Sequence, residues 1–234
     1  MTKSISLLAS LLLCVSASFA SAADADTPVV SVVNVQADNP NAYVDLVSKN
    51  PQVFSSLGAQ AGGTCMTLSG HRYPGQAFAW SIFENASAAF KGAQQFATRT
   101  RSEELNAVSR VVSTEFYAIL KPFTLPSGFE RRYQIVVNDV AGYIAAATAL
   151  EKVMQENGHK VEVGIFAPLG NGHQKANMLD VRIFAVTPEV AGMMVNDFLQ
   201  QAPWAMEPYA KMLATIESLE LDTFESCAQH YTAD

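Results

Sequence analysis

Hydrophobic and polar positions follow the same order twice along the chain. Residues 29–121 and residues 131–231 each read as strand, helix, strand, strand, helix, strand. Strands are predicted where β-branched and aromatic residues alternate with polar ones, and helices where apolar residues recur every three to four positions. The pattern therefore predicts an α+β protein built from two βαββαβ units, joined by a Pro- and Gly-containing linker at residues 122–130.

The first helix of each unit begins with a similar signal. Asp38-Asn39 in one unit and Asn138-Asp139 in the other stand just before the helical pattern, and each pair is followed by a tyrosine, Tyr43 or Tyr143. Asn and Asp side chains accept hydrogen bonds from the free N–H groups at a helix start, so each pair is predicted to supply the N-cap. Pro51 is predicted to interrupt the first of these two helices, because proline cannot donate the helical hydrogen bond.

The third strand of each unit sorts its side chains onto two faces, because alternate residues of a strand point in opposite directions. In residues 76–83 one face carries three large apolar side chains, namely Phe78, Trp80 and Ile82. Matching residues 177–186 to this strand places Leu179, Val181 and Ile183 at the same positions. Asp180 and Arg182 then lie on the other face, where burial would force the two charges to pair.

The first 22 residues have the pattern of a secretion signal. Lys3 supplies a basic start, residues 5–15 an apolar core, and residues 20–22 (ASA) a small-residue cleavage site. This predicts a signal peptide at residues 1–22 and a periplasmic or secreted protein. No later stretch has the roughly 18–20 apolar residues of a transmembrane helix, so no integral membrane segment is expected.

Charge narrows the range of partners. The chain has 22 acidic and 15 basic residues, a formal net charge of −7. Nucleic acids and anionic membranes are bound by basic patches, whereas the basic residues here occur as scattered pairs. We therefore expect neither a nucleic acid nor an anionic membrane as a partner, and a small molecule is the remaining candidate ligand.

Two cysteines, Cys65 and Cys227, remain beyond the predicted signal peptide, which holds Cys14. Disulfides form and persist in oxidising compartments, so export favours a bridge between these two thiols. Such a bridge would tie the first unit to the second. Two buried free thiols are the alternative.

Several segments carry a resemblance to a known family. They are the paired strand entries at residues 32–35 (VVNV) and 134–137 (QIVV), the helix start at 40–43 (PNAY), and residues 79–83 (AWSIF) leading into 85–90 (NASAAF). The chain resembles the dimeric α+β barrel superfamily, especially antibiotic-biosynthesis-monooxygenase-like domains. The resemblance implies two ferredoxin-like sheets packed face to face within one chain, as a pseudo-dimer. It also brings the strand of Cys65 near that of Cys227, which supports the disulfide.

The resemblance also implies a pocket. Members of this family are associated with activity on aromatic substrates without metal or flavin, using Trp, Tyr, Asn and Arg side chains. By that similarity Trp80, Asn34 and Tyr43 would line a pocket in the first unit. Asp180 and Arg182 are either a ligand anchor or a structural ion pair.

No cofactor is expected. The four histidines, His71, His159, His173 and His230, show no metal-ligand spacing with one another or with cysteine. Haem-binding relatives in the superfamily use a histidine on a helix, and the second helical region of each unit lacks one. The sequence therefore predicts neither a metal site nor a haem site.

Three roles stay open at this point. The first is a protein that binds a small apolar or aromatic molecule in a pocket between sheet and helices. The second is a cofactor-independent monooxygenase-like enzyme that uses the neighbourhood of Trp80. The third is a structural or partner-binding module. The first two predict an enclosed cavity with polar groups converging on it, and the third predicts filled cores and an exposed apolar patch.

Overall fold

A computed structural model of the chain describes residues 27–124, 128–172 and 175–233. The predicted signal peptide and His173 lie outside the described residues. The strands are β1 Val29–Ala37, β2 Ala61–Ser69, β3 Gln76–Phe83, β4 Ser109–Lys121, β5 Gly128–Val137, β6 Val161–Pro168, β7 Met178–Ala185 and β8 Ile216–Thr232. The helices are α1 Pro40–Ser48, α2 Gln52–Ser55, α3 Ala86–Thr98, α4 Glu103–Val108, α5 Val140–Glu156, α6 Pro188–Leu199 and α7 Pro203–Leu213.

The eight strands form one closed antiparallel barrel in the order β1-β3-β2-β8-β5-β7-β6-β4. Strands β1 to β4, the first half, occupy four adjacent places in the order β4-β1-β3-β2. Strands β5 to β8, the second half, occupy the other four in the order β8-β5-β7-β6. The two halves meet at two seams, where β2 pairs with β8 and β4 pairs with β6. The protein is thus a mixed α+β fold around an eight-stranded barrel.

The helix starts agree with the sequence pattern. The Asn39 side chain accepts a hydrogen bond from the Ala42 amide at 3.2 Å, and Asp139 accepts one from the Ala141 amide at 3.1 Å. Both predicted N-caps are therefore confirmed. The predicted interruption at Pro51 is also present, because it separates α1 from α2.

Strand β5 begins at Gly128, within the segment that the sequence assigned to the linker. Residues 128–130 pair with β8, and Gly128 stands directly opposite Cys227. A Cβ atom at Gly128 would lie 2.1 Å from the Ala185 carbonyl oxygen, so only glycine fits this close approach. The sequence signal failed here because glycine and three charged residues resemble a loop rather than a strand.

The predicted disulfide is present at one seam. Cys65 on β2 and Cys227 on β8 stand directly opposite each other, with an S–S distance of 2.05 Å. The bridge therefore joins the two halves, 162 residues apart in the chain. The alternative of two free thiols does not apply to this structure.

Three apolar cores result from this arrangement. One lies between the first-half sheet and its helices, one between the second-half sheet and its helices, and one inside the barrel. Phe78 and Trp80 belong to the barrel interior, whereas Ala77 and Phe83 on the same strand face the helices. Of the helices in the described ranges, none has the length and apolar character needed to cross a bilayer.

One sequence match between the halves was wrong by one residue. Strand β3 ends two residues before Asn85, the N-cap of α3, and β7 ends two residues before Thr187, the N-cap of α6. Aligning the strand ends puts Trp80 at the place of Arg182, not of Val181. Because a one-residue shift exchanges the two faces of a strand, Arg182 faces the barrel interior with Trp80, and Val181 faces the helices.

Candidate functional site

Two cavities lie on opposite sides of the second-half sheet. The first, the sheet–helix pocket, has a volume of about 410 Å³ and lies between strands β5 to β8 and helices α5 to α7. The second, the barrel cavity, has a volume of about 350 Å³ and lies inside the barrel. The alternation of β7 separates them, since Val181 and Ile183 line the first cavity and Asp180 and Arg182 the second.

The sheet–helix pocket is mainly apolar. Its inner wall is formed by six buried or half-buried side chains, namely Ala147, Leu150, Met154, Val181, Ile183 and Met194. Three leucines of the lining are exposed to solvent, Leu199 by 75%, Leu213 by 43% and Leu219 by 56%. Exposed leucines around a pocket give an apolar ligand a surface on which to enter.

Polar groups converge at one side of this pocket. The Arg131 guanidinium donates two hydrogen bonds to the Asp222 carboxylate, from Nε at 3.0 Å and Nη2 at 2.8 Å. It also lies over the Tyr133 ring, 4.7 Å from the ring centre. The pair is about one-third exposed. It is therefore accessible to a ligand, which an enclosed ion pair would not be.

Two tyrosine hydroxyls of the pocket keep their protons. Burial raises the pKa of Tyr133 and of Tyr143 above the ordinary value, because a buried phenolate would lose its water. Near neutral pH both can donate a hydrogen bond to a ligand oxygen, and neither acts as a base. A base in this pocket has to be a carboxylate, and Asp222 is the one among its lining residues.

Aromatic rings occupy part of the equivalent layer of the first half. The Phe54 ring lies on Gly62 of β2, where a Cβ atom would approach it to 2.2 Å. Phe83 packs in the same way against Gly92 of α3, where a Cβ atom would approach its ring to 2.8 Å. The two rings, each 2% exposed, fill the layer beside β2 and β3, and a cavity of about 810 Å³ remains between helices α1 to α4 and Val111 of β4.

The barrel cavity has aromatic walls and a charged side. The walls include four rings, from Trp80, Phe123, Phe166 and Phe184. The charged side is formed by Glu130 of β5 and by Asp180 and Arg182 of β7. Phe123 closes over this cavity because Gly164 leaves room for its ring, which stacks on Phe184 with 5.3 Å between centres.

The charged residues of the barrel cavity belong to a network of buried ion pairs between side chains of neighbouring strands. Arg132 pairs with Asp180 at 2.7 Å and also bonds the Tyr117 hydroxyl at 3.1 Å. Arg182 pairs with Glu130 at 2.8 Å and with Glu225 at 3.2 Å. These charges are taken out of water, so each carboxylate depends on its guanidinium partner.

The five predicted pocket residues divide into three groups. Trp80, Asp180 and Arg182 come together in the barrel cavity. Asn34 follows the inward side of β1 but bonds Ser113 at 3.0 Å and does not line the cavity. Tyr43 lies on the helix side of the sheet, where burial raises the pKa of its hydroxyl. The structure therefore does not bring Trp80, Asn34 and Tyr43 into one pocket.

Sequence reasoning missed several residues of both cavities. In β5, Glu130 and Arg132 alternate with Arg131 and Tyr133, so one strand supplies charges to the barrel interior and an arginine and a tyrosine to the sheet–helix pocket. A period-two pattern over residues 128–134 sorts these four side chains onto two faces, but it does not show that either face is buried. Residues 128–130 are instead part of the predicted linker, and the charges of Arg131 and Arg132 were interpreted as exposed.

Within the described ranges, the one cluster of donor atoms does not suit a metal ion, and the lining of the sheet–helix pocket does not suit a haem. Donor atoms of Cys65, Cys227, Glu130 and Glu225 lie within 4.8 Å of one another, but both sulfurs are in the disulfide and both carboxylates hold Arg182. The lining of the sheet–helix pocket includes no histidine or cysteine as an axial ligand for haem iron. Its buried tyrosines resist the deprotonation that iron ligation would need.

Comparison with solved structures finds the same fold. A "putative monooxygenase" from Lactobacillus acidophilus NCFM is 13% identical, covers 89% of this chain and 100% of its own, and has a TM-score of 0.57. An anthrone oxidase-like protein is 9% identical, with a TM-score of 0.54 over 89% of this chain and 97% of its own. A chlorite dismutase from Candidatus Nitrospira defluvii is 10% identical, with a TM-score of 0.51 over 86% and 92%.

These similarities establish the α+β barrel fold that the sequence resemblance had predicted. No protein-family model matches this chain, and no curated protein does.

Proposed function

We propose that this protein binds a small aromatic molecule in the sheet–helix pocket of its second half and oxidises it with dioxygen, without a cofactor. The observation that carries the proposal is the geometry of that pocket. An apolar space of about 410 Å³ has one accessible carboxylate and one guanidinium at its side. Such a combination of apolar walls and few convergent polar groups is typical of small-molecule sites.

The names of structures with the same fold support the reaction type. Two of them are described as a "putative monooxygenase" and as anthrone oxidase-like. A phenolic ring fits the pocket because its hydrocarbon part would pack on the leucines and methionines of the inner wall. Its hydroxyl would lie at the polar side, within reach of Arg131 and Asp222.

The polar pair suggests how the substrate would be activated. Asp222 takes the proton of a phenol hydroxyl, and Arg131 balances the charge of the phenolate that results. The phenolate gives electrons to dioxygen, and a new C–O bond forms at a ring carbon that carried hydrogen. The O–O bond then breaks. One oxygen remains as a carbonyl, and the other leaves as water with the ring hydrogen and the proton held by Asp222.

The two other roles make different predictions. A pure binding protein would use the same pocket without turnover, and a ligand would still raise its thermal stability. A structural module would have filled cores, and the two cavities count against that reading. The version of the enzyme centred on Trp80, Asn34 and Tyr43 is less well supported, because the three side chains lie apart.

Oxygen consumption tests the proposal. Purified protein is incubated with dihydroxyaromatic compounds under oxygen, and Asp222→Asn is compared with Glu217→Gln. The control makes the same chemical change on the same strand, at an exposed position outside the pocket. We expect turnover to fall at least about a hundredfold in Asp222→Asn and to stay unchanged in Glu217→Gln.

Two results would decide against the enzyme. Equal turnover in both variants would remove Asp222 from the reaction. Absence of turnover with every compound, together with ligand-induced thermal stabilisation, would leave the binding role alone.

We also propose that the barrel is an internal pseudo-dimer of two ferredoxin-like units, residues 29–121 and 131–231. The first half has the strand order β4-β1-β3-β2 and the second half the order β8-β5-β7-β6, so each half places its own four strands in the same sequence. This shared order supports the proposal of a pseudo-dimer. Expressing the halves as separate chains tests it. The units should reassemble into a barrel when mixed, and halves that stay unfolded together would contradict the proposal.

Export to the periplasm or the medium is a further part of the proposal. The Cys65–Cys227 bridge supports it, because disulfides persist in oxidising compartments. Fractionation of cells that express the full chain should find a protein that begins near Ala23 outside the cytoplasm. A full-length protein confined to the cytoplasm would overturn it.

A further inference from the structure

The barrel cavity has no part in the proposed reaction, since the second-half sheet separates it from the sheet–helix pocket. Its charged groups are nearly inaccessible to water, with Asp180 exposed by 2%, Glu130 by 3% and Arg182 by 8%. Charges buried this deeply have to be balanced within the barrel or by something bound in it.

The fully buried charges do not balance. Two guanidinium groups, of Arg132 and Arg182, face three carboxyl groups, of Glu130, Asp180 and Glu225. Ionisation of all three carboxyls leaves an excess negative charge in the interior. Of these carboxyls, Glu130 and Asp180 line the cavity, and Glu225 of β8 stands beside Glu130 on the neighbouring strand.

The rest of the cavity suits the hydrocarbon part of a ligand. Trp80 of β3 stands across the barrel from the charged strands, and the rings of Phe166 and Phe184 continue the wall. Aromatic faces attract cations as well as apolar groups. A cavity with excess negative charge on one side and rings around it therefore selects a positive head on a small apolar body.

We propose that the barrel cavity is a second binding site, for a compact aromatic or alkyl monoamine. The ammonium group lies against Glu130 and Asp180, and the hydrocarbon part packs on Trp80 and the phenylalanines. This site is independent of the proposed oxidation, because the two cavities share no lining residue.

Proton balance supports this assignment. Burial raises the pKa of Glu130, and the nearby Glu225 and Asp180 carboxylates raise it further against the opposing effect of Arg182. Without a ligand, Glu130 can hold a proton that cancels the excess charge. A bound ammonium group supplies the same positive charge, so the carboxyl ionises when the amine binds.

Tryptophan fluorescence offers a direct test, because the chain has two tryptophans. Trp204→Phe removes the one on α7 and leaves Trp80 as the reporter of the barrel cavity. Three probes of nearly equal shape are titrated at pH 7, namely phenethylamine, phenethyl alcohol and phenylpropionate. We expect saturable quenching by the amine, and binding at least about tenfold weaker for the neutral and anionic probes.

Three variants test whether the amine binds in the barrel cavity. Glu130→Gln keeps the size of the side chain and removes its charge, so amine affinity should fall at least about tenfold. Val30→Phe fills the cavity from β1 and should abolish binding. Its matched control, Val33→Phe, points to the helix side of the same strand and should bind as before. A thermal melt of each variant establishes that it is folded, and Val30→Phe keeps the test open if Glu130→Gln does not fold.

Three outcomes would overturn the proposal. They are equal binding of all three probes, an unchanged Trp80 signal with each of them, and equal loss of binding in Val30→Phe and Val33→Phe. None of these bears on the sheet–helix pocket, which neither valine lines. Failure of this proposal is therefore distinguishable from failure of the proposed function.

Discussion

The two halves of the barrel share one strand order, but they place different side chains at matching positions of the barrel interior. Val32 stands opposite Trp80 in the first half, and at the matching place of the second half Arg132 stands opposite Arg182. At this pair of positions the first half presents apolar side chains to the barrel interior and the second presents charged ones. Topology fixes which positions face inward, and the side chains at those positions decide what the interior can bind.

The layers between each sheet and its helices also differ between the two halves, in the size of the side chains that face the sheet. Val47 on α1 follows Tyr43 by one helical turn, and on α5 the smaller Ala147 follows Tyr143 by the same interval. Such differences change where the open space lies: in the second half it borders strands β5 to β8, and in the first half it lies between helices α1 to α4 and Val111 of β4. A ligand site here depends on a few small side chains rather than on a different fold.

The largest effect is expected where the interior of the second half loses a charge. Arg132→Leu leaves Asp180 without its closest partner and weakens the balance at Glu225. Removing one member of a buried ion pair costs about 3–5 kcal/mol. The matching first-half change, Val32→Ala, removes apolar contacts only and should cost about 2 kcal/mol. Urea denaturation of both variants measures the two free energies of unfolding.

A result in which Arg132→Leu is as stable as the wild type would break this contrast. It would mean that the interior ions are not strongly dependent on each other. Equal losses in both variants would mean that packing alone decides stability in both halves.

The disulfide gives the next effect, at the seam between the halves. Replacing Cys65 and Cys227 by alanine releases a loop of 162 residues, which the chain-entropy model values at up to about 5 kcal/mol. We expect a loss of about 3 kcal/mol in the free energy of unfolding. Mass spectrometry after alkylation without reductant checks the premise, and two labelled cysteines in the wild type would contradict it.

A smaller effect is expected from pH, through the buried Glu130 of the second half. Because the pKa of Glu130 is raised by folding, the folded protein holds a proton that the unfolded chain has lost. The stability from this group is complete below the ordinary glutamate pKa of 4.5 and is lost as pH rises through the raised value. Arg182, Asp180 and Glu225 face this carboxyl and couple to it.

Comparison with Glu130→Gln isolates this contribution. Relative to this variant, the wild type should lose stability as pH rises, by at most about 1.4 kcal/mol per pH unit. Denaturation curves at a series of pH values above 4.5 measure the difference. Parallel curves for the two proteins would show that Glu130 has no raised pKa.

The sequence predicted the order of the elements well, because helix caps, prolines and β-branched runs are local signals. Asn39, Asp139 and Pro51 each act as predicted. The faces of the strands were harder to predict. Trp80 was matched to Val181 because both are apolar, whereas the barrel requires matching by strand ends, which places a charged residue at that position.

The cavities could not be predicted from local pattern at all. Whether Ala147 borders empty space depends on which side chains three helices and the sheet bring to it, and those contacts are far apart in sequence. Buried charges such as Glu130 also escape prediction, since a charged residue normally indicates the surface. Their burial becomes evident only once Arg182 is seen beside them.

The central claim is tested most directly by calorimetric titration of two variants, in each of which an alanine of α5 is replaced by phenylalanine. The titrant is the aromatic compound that raises the melting temperature of the wild type most. Ala147→Phe puts a ring into the sheet–helix pocket, and Ala149→Phe makes the same change on the exposed side of the helix. We expect Ala147→Phe to lose binding by at least about tenfold, or about 1.4 kcal/mol, and Ala149→Phe to bind like the wild type. Unchanged binding in Ala147→Phe would contradict the account, because the ligand would then lie elsewhere.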